Sequence, residues 1–249
     1  MIRRALLIGA PCWENTPLFL PGVNKDIANY HRFLRSSSGG AWEDHEITVA
    51  RNPPKKDLIR FVRSVQADYV LVVFSGHGAT NRSDGCQILQ LNPTERILLN
   101  DVVPVVERQL IIVDACRTFT VDAGLSGFFG EEQRKFPSKL PKDVARKLFD
   151  QALVQCEPGQ IICYGCERGK TSQDTQSGGY FSISLLDTTN QWVDTPSNGV
   201  YLPISHAFAR ANQFITSRPN ILQLPRIWSQ QPTRQHCFPF ALRRPVQLL

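Results

Sequence analysis

Unbroken apolar runs of strand length constrain the fold of this chain more than any other feature. Residues 5–10 read ALLIGA, residues 69–74 read YVLVVF, and residues 110–113 read LIIV. Such runs are typical of strands that are buried on both faces of a sheet. They are far shorter than the roughly 20 residues of a membrane-spanning helix, so we expect no association with a membrane.

Helical patterns separate these runs. Leu58 and Val62 lie on one helix face after a double proline, and Asn24 is placed to cap an earlier helix. Because strands alternate with helices, we predict right-handed crossovers and a mostly parallel sheet with helices on both faces. We therefore expect a single α/β domain over residues 1–249, with an aperiodic linker at about 119–140.

The composition limits the partners and the compartment. The net charge of +6 arises from 28 Lys and Arg against 22 Asp and Glu, which suggests an anionic partner. The basic residues are spread along the chain and are not interleaved with aromatic residues, so we expect a solvated surface and no nucleic-acid partner. Seven scattered cysteines, an odd number, predict reduced thiols in a cytoplasmic protein, and one of these thiols can serve as a nucleophile.

Two reactive side chains follow predicted strands. His77 comes after the strand that ends at residue 74, and Cys116 comes after the strand that ends near residue 114. If these strands are neighbours, the imidazole promotes loss of the thiol proton, and the thiolate can attack a carbonyl carbon. The N–H groups of Gly78 and Cys116 would then form an oxyanion hole. Each segment also has a simpler interpretation, as a strand-ending turn and as a buried thiol.

Together the two segments resemble the caspase-like cysteine proteases. Residues 73–78 (VFSGHG) are similar to the histidine loop, and residues 112–117 (IVDACR) to the D-x-C box, of metacaspases and of their bacterial relatives, the orthocaspases. Residues 5–9 and 21–26 also match the start of that family. The resemblance implies a caspase-like fold with a mostly parallel six-stranded sheet. It further implies an endopeptidase with a catalytic dyad of His77 and Cys116 and with protein substrates.

The residue two positions before the nucleophile is expected to set the specificity. Side chains alternate along an extended segment, so Asp114 and Cys116 project to the same side. The resemblance implies that Asp114 and Asp26, with Ser75 beside them, form an acidic pocket that selects arginine or lysine. In the alternative interpretation Asp26 caps its helix and Asp114 accepts hydrogen bonds from backbone amides.

The sequence gives no strong signal for a metal. Cys163 and Cys166 form a single C-x-x-C without a second pair at zinc-finger spacing, so we expect core packing and no zinc. The resemblance raises the possibility of calcium, for which the residues in place are Asn100, Asp101 and Asp122. Such oxygen ligands are too few for a calcium site to be assigned, and we expect no cofactor.

The linker is expected to regulate the peptidase. Residues 131–140 are charged and aperiodic, so we expect them to be exposed and mobile, with Arg134, Lys135 and Lys139 as self-cleavage sites; an inert loop is the alternative. The family context implies a role in cell death or bacterial defence and a partner protein that activates the enzyme.

Two other classes of function compete with the peptidase. One is a catalytically inactive caspase-fold scaffold, and the other is a flavodoxin-like binder in which residues 75–78 hold an anion.

Overall fold

Strands and helices alternate along the chain in the computed structural model, which describes residues 1–119, 126–127, 134–136, 140–219, 221–230 and 238–245. In these residues the strands are β1 (Arg3–Ala10), β2 (Ile47–Arg51), β3 (Tyr69–Gly76), β4 (Gly78–Thr80), β5 (Gln87–Gln90), β6 (Arg96–Leu98), β7 (Arg108–Asp114), β8 (Ser126–Gly127), β9 (Gly159–Tyr164), β10 (Asp174–Thr175), β11 (Gly178–Gly179), β12 (Tyr201–Pro203), β13 (Arg226–Ser229) and β14 (Pro239–Leu242). The helices are α1 (Pro21–Arg35), α2 (Lys55–Ser64), α3 (Lys142–Val154), α4 (Tyr180–Asp194) and α5 (Ile204–Thr216), with 3-10 turns at Asp44–Glu46 and Leu99–Val102.

Six strands form the central sheet, in the order β13-β9-β7-β3-β1-β2. All neighbours are parallel except β13, which runs antiparallel to β9. This arrangement confirms the predicted mostly parallel six-stranded sheet. Strands β3 and β7 are adjacent, with Ser75 opposite Asp114, so the two segments that precede His77 and Cys116 end side by side.

Helices cover both faces of this sheet, as the sequence predicts. On one face α1, α3, α4 and α5 bury a core that includes Tyr30, Phe149 and Phe181. On the other face α2 and the β5–β6 hairpin bury a second core around Leu58 and Leu89. Both clusters rest on the apolar strands, which explains why unbroken apolar runs were needed at the centre of the sheet.

Helix α1 begins earlier than the sequence predicts. Its first residue is Pro21 and its N-cap is Leu20, whose side chain makes no capping hydrogen bond, so Asn24 lies inside the helix and the predicted cap is wrong. Proline is favoured in the first turn because its φ is already helical and its missing N–H would be unpaired there. The shift places Asp26 in the helix interior and excludes it as the cap.

Part of the predicted linker packs on the body of the molecule. The side chain of Arg134 is 14% exposed and pairs with Asp187 of α4 at 2.6 Å, while the Phe136 ring lies 5.3 Å from the Phe33 ring. The expectation of an exposed segment is therefore wrong for Arg134 and Phe136, because a long-range ion pair and a ring contact anchor them. Lys135 is exposed. Lys139 lies outside the described residues.

No helix in the described ranges is both long enough and apolar enough to cross a bilayer.

Candidate active site

The loops after β3 and β7 meet at one small cavity. Ser75, His77, Asp114 and Cys116 all line it, together with residues of α1 and of the chain between β9 and α4. The cavity encloses about 20 Å³, which is close to the space that one water molecule occupies. The sequence-predicted site residues are thus brought together, in a cavity that is too small for an arginine side chain as it stands.

His77 is held by a backbone carbonyl group. Its side chain is buried, and Nε2 lies 2.6 Å from the carbonyl oxygen of Leu18. Because a carbonyl oxygen can only accept, Nε2 carries the proton and Nδ1 of the neutral ring is left as the proton acceptor. Burial lowers the pKa of His77, with the Leu18 contact acting in the opposite direction, so the ring is neutral at pH 7.

Cys116 is held by the chain that follows β9. The N–H of Ser172 donates to the Cys116 sulfur at 3.3 Å, and this sulfur lies 3.6 Å from the Ser172 carbonyl oxygen. The side chain is buried at 5% exposure. The Ser172 N–H stabilises the thiolate, whereas the Ser172 carbonyl accepts the proton of the thiol, so Ser172 contacts the sulfur in both of its protonation states.

Gly78 allows the two loops to approach each other closely. It begins β4, and a Cβ atom there would lie 2.7 Å from the carbonyl oxygen of Cys116. Any larger residue would push the two loops apart. The assignment of the Gly78 and Cys116 N–H groups to an oxyanion hole stays a prediction.

Asp26 reaches from α1 to the carboxyl end of the sheet. It is 1% exposed, and its carboxylate accepts the Ser75 hydroxyl at 2.7 Å and the Gly179 N–H at 2.9 Å. Burial raises the pKa of Asp26 well above its usual value, and the charge of Asp114 raises it further, whereas the two hydrogen bonds act against this shift. Asp26 and Ser75 are therefore in contact, as the acidic-pocket prediction requires.

Asp114 lies beside Cys116 on the floor of the cavity. Its carboxylate accepts the Ser172 hydroxyl at 2.5 Å and the Ser182 N–H at 2.8 Å. The second bond agrees with the alternative interpretation that Asp114 accepts from a backbone amide, and it comes from the first turn of α4, where the helix dipole favours a negative charge. Even so, burial raises the pKa of Asp114.

Sequence reasoning missed a third carboxylate, that of Asp174. It lines the same cavity from β10 and accepts the Gly22 N–H at 3.2 Å. Burial raises the pKa of Asp174 to about 7, with a further increase from the charge of Asp114. No pattern in the sequence marks this aspartate, because its position depends on the path of the chain between β9 and α4.

No cation among the described residues pairs with these three carboxyl groups, and their raised pKa values show that burial disfavours their charged forms. Within the described part of the chain, no lysine or arginine lines the cavity or contributes to the pKa shifts of Asp26, Asp114 and Asp174. Hydrogen bonds alone hold the carboxylates, and a guanidinium or ammonium group would supply the missing charge.

A buried glutamine fastens the wall of the cavity. Gln223 is 1% exposed; its amide nitrogen donates to the Gly165 carbonyl at 2.8 Å and to the Ser172 hydroxyl at 3.0 Å, and its oxygen accepts the Gln173 N–H at 3.0 Å. Since Ser172 contacts both Asp114 and Cys116, Gln223 orients them indirectly. The sequence contains no signal for this role.

The structure describes most of the residues that were considered as metal ligands. Among the described residues, no three His, Cys, Asp or Glu side chains are arranged to hold an ion. Asn100 and Asp101 lie in the 3-10 turn after β6, and Asp122 is outside the described residues. Cys163 is fully buried in the core, as predicted.

The fold and the site define a class of protein. A parallel sheet with a histidine and a cysteine beyond adjacent strands, next to buried carboxylates, is the architecture of a cysteine peptidase of the caspase type. The chain belongs to the caspase domain family, whose profile matches residues 2–236. It is therefore a caspase-like cysteine peptidase, a hydrolase that acts on proteins.

Comparison with solved structures supports the same fold. Caspase-1 from Spodoptera frugiperda is similar over 100% of this chain and 92% of that chain, with a TM-score of 0.58 and 14% identity. At this identity the likeness establishes the fold alone. No curated protein matches the sequence.

Proposed function

We propose that this peptidase cleaves proteins after arginine or lysine, with Cys116 as the nucleophile and His77 as the general base and acid. The observation that carries the specificity is the set of three buried carboxylates, Asp26, Asp114 and Asp174, without a cation among the described residues that line the cavity. A basic substrate side chain completes this charge distribution.

The proposed reaction follows the geometry of the two loops. Nδ1 of His77 accepts the proton of the Cys116 thiol, and the thiolate attacks the scissile carbonyl carbon. The N–H groups of Gly78 and Cys116 stabilise the oxyanion, and His77 then protonates the departing amine. Water, deprotonated by His77, hydrolyses the thioester and restores the thiol.

Substrate binding requires the cavity to enlarge. An arginine side chain does not fit into about 20 Å³, so the wall formed by Ser172, Gln173 and Asp174 must move outward as the guanidinium enters. A basic side chain favours the ionised forms of these carboxyl groups, whose pKa values are raised without it, and forms ion pairs with them in a site of low polarity, where such pairs are strong. The closed cavity thus favours control by substrate or by an activating partner protein.

Variants of the dyad test this mechanism. Cys116→Ala and His77→Ala should each reduce kcat/KM on an arginyl peptide by a factor of about 1,000 or more, because each removes a group that reacts directly. Cys86→Ala and His45→Ala, which change a cysteine and a histidine elsewhere, serve as matched controls and should retain activity. A dyad variant with more than a tenth of wild-type turnover would contradict the assignment.

Self-processing in the linker is part of the same proposal. Of the three basic residues considered, Lys135 is the exposed one, whereas Arg134 is engaged with Asp187 and Lys139 lies outside the described residues. Cleavage is therefore proposed at Lys135. Wild-type protein should yield two fragments on a denaturing gel, Cys116→Ala none, and Lys135→Ala fewer; unchanged fragments from Lys135→Ala would exclude this site.

The cellular role is proposed from the family resemblance alone. It comprises cell death or bacterial defence, in the cytoplasm, under the control of a partner protein.

A further inference from the structure

A second charged site lies beneath the nucleophile, at Arg117. Its guanidinium is stacked on the Tyr164 ring at 3.8 Å, and its Nε donates to the Gln87 side-chain oxygen at 3.0 Å. The residue is 8% exposed. Within the residues that the structure describes, no protein acceptor meets the two terminal nitrogens, and no carboxylate is among its charged neighbours.

The terminal nitrogens of Arg117 are not among the fully buried, unpaired polar atoms of the described residues, so this end of the side chain opens onto a groove. Burial lowers the pKa of Arg117, and the positive charge of Arg168 acts in the same direction. Buried guanidinium groups in proteins are normally paired with a carboxylate or a phosphate, since an uncompensated buried charge is costly. Two N–H-bearing nitrogens side by side match the two oxygens of such a group.

Arg117 lines a groove of about 570 Å³ on the sheet face opposite α1 and α4, which we call the Arg117 groove. This volume is within the range of small-molecule sites. The groove lies between the β5–β6 hairpin, β9 and β13, and Arg168, Gln160, Gln230 and the partly exposed Trp228 contribute side chains to it. Among its described lining residues Asp84 is the one acidic side chain, so cationic groups prevail.

We propose that the Arg117 groove binds the oxyanion group of a small ligand, a carboxylate or a phosphate, through a forked pair with the terminal nitrogens of Arg117. Arg168 adds a second positive charge at the exposed side of the groove, where it donates to the Gly85 carbonyl at 3.0 Å. Gln230, Trp228 and Gln160, whose amide nitrogen donates to the Gln109 side chain, line the space for the remainder of the ligand.

The position of Arg117 connects this site with the active centre. Its N–H donates to the Lys170 carbonyl at 3.0 Å, and its own carbonyl accepts the Thr80 hydroxyl at 2.7 Å. Arg117 thereby joins the loop after β9 to β4, and it is the next residue after Cys116. An oxyanion bound here stabilises the arrangement of both loops, so binding should be visible as increased stability of the whole chain.

The test is thermal unfolding in the presence of simple oxyanions. Inorganic phosphate and succinate are titrated separately, and sodium chloride keeps the ionic strength constant. We expect a saturable rise in Tm with at least one of them, and the probe that acts identifies phosphate or carboxylate as the recognised group. A rise that does not saturate with either probe, or no rise, would overturn the proposal.

Variants assign the effect to the groove. Arg117→Gln should raise the half-saturating concentration tenfold or more, and Arg168→Gln should raise it by a smaller factor. Arg60→Gln, on the exposed side of α2, should leave it unchanged. An unchanged titration in Arg117→Gln would overturn the proposal. If Arg117→Gln does not fold, Arg168→Gln provides the test. A half-saturating concentration of Arg168→Gln equal to that of Arg60→Gln would also overturn the proposal. The readout does not involve peptidase activity, so it is independent of the proposed function.

Discussion

Buried ionisable side chains lie at both ends of the central sheet, and the two ends differ in whether these side chains form ion pairs. At the start of β1, the guanidinium of Arg3 is 3.4 Å from both Glu46 and Asp150 and stacks on the Trp42 ring at 4.6 Å. At the carboxyl ends of the strands, the carboxylates of the active-site cavity have no such partner among the described residues. One end is electrically balanced, and the other is not.

The difference is visible in the pKa values of two carboxyl groups, that of Glu46 at the start of the sheet and that of Asp174 in the active-site cavity. Burial acts to raise the pKa of Glu46, but hydrogen bonds from Arg146 and the Glu43 N–H, together with the charge of Arg3, lower it to about 2. Burial raises the pKa of Asp174 to about 7, and no cation of the described residues acts against this increase. The balanced end stabilises the fold, whereas the unbalanced end is completed by a ligand.

The largest effect on stability is expected at the balanced end. Glu46→Ala removes the carboxylate that accepts from Arg146 at 2.7 Å and one of the two carboxylates beside the buried Arg3, and this should cost about 3–5 kcal/mol in the free energy of unfolding. Urea denaturation at pH 7 measures the loss, with the exposed Glu14→Ala as a control that changes stability by less than about 0.5 kcal/mol. A loss below about 1 kcal/mol for Glu46→Ala would contradict a structural role.

At the unbalanced end, the main effect should fall on catalysis. Asp114→Asn keeps the shape of the side chain and removes its charge, so kcat/KM for an arginyl peptide should fall by about 100-fold or more. Asp101→Asn, a change elsewhere on the surface, should leave it unaltered. If both variants cleave the arginyl peptide at the wild-type rate, Asp114 does not contact the basic side chain.

Gln223 should have an intermediate effect. Gln223→Ala leaves the Gly165 carbonyl and the Gln173 N–H unpaired in a buried place, at a cost of about 1–3 kcal/mol in stability. Because Ser172 loses its support, alkylation of Cys116 should also change in rate. Gln213→Ala, a change of an exposed glutamine, is the matched control. Identical stability and identical rates of Cys116 alkylation in the two variants would show that Gln223 does not support Ser172.

The smallest effect is a pH dependence. A raised pKa means that folded Asp174 holds its proton more tightly than unfolded Asp174, so its contribution to stability is present at low pH and is lost as the pH rises to about 7. Asp174→Asn should therefore match the wild type near pH 4 and exceed it in stability at pH 8. Chemical denaturation at both pH values measures the difference in the free energy of unfolding between the variant and the wild type. The same difference at pH 4 and pH 8 would contradict the burial of Asp174 without a cationic partner.

Local patterns in the sequence account for the frame of the site. Apolar runs predicted the strands, and the polar segments directly after them predicted that His77 and Cys116 would meet at one edge. Alternation along the chain placed Asp114 beside Cys116. These features depend on neighbours in sequence, and a single chain displays them directly.

The remainder of the site depends on contacts between distant residues. Ser172, Asp174 and Gln223 are more than 50 residues from Cys116, and the hydrogen bonds of their loops determine their positions. The contact of His77 with Leu18 uses a backbone carbonyl, which any residue type provides. The ion pair of Arg134 with Asp187 spans 53 residues and left no local pattern in the linker.

The central claim is that the unbalanced carboxylate cavity accepts a basic side chain next to a reactive Cys116. It is tested most directly by inactivation with peptidyl fluoromethylketones that differ only in an arginine, lysine or aspartate at the position before the reactive group, with mass spectrometry of the labelled cysteine. We expect the arginine and lysine reagents to label Cys116 at least about 100-fold faster than the aspartate reagent, and Cys116→Ala to resist all three. Equal or faster labelling by the aspartate reagent would contradict the account.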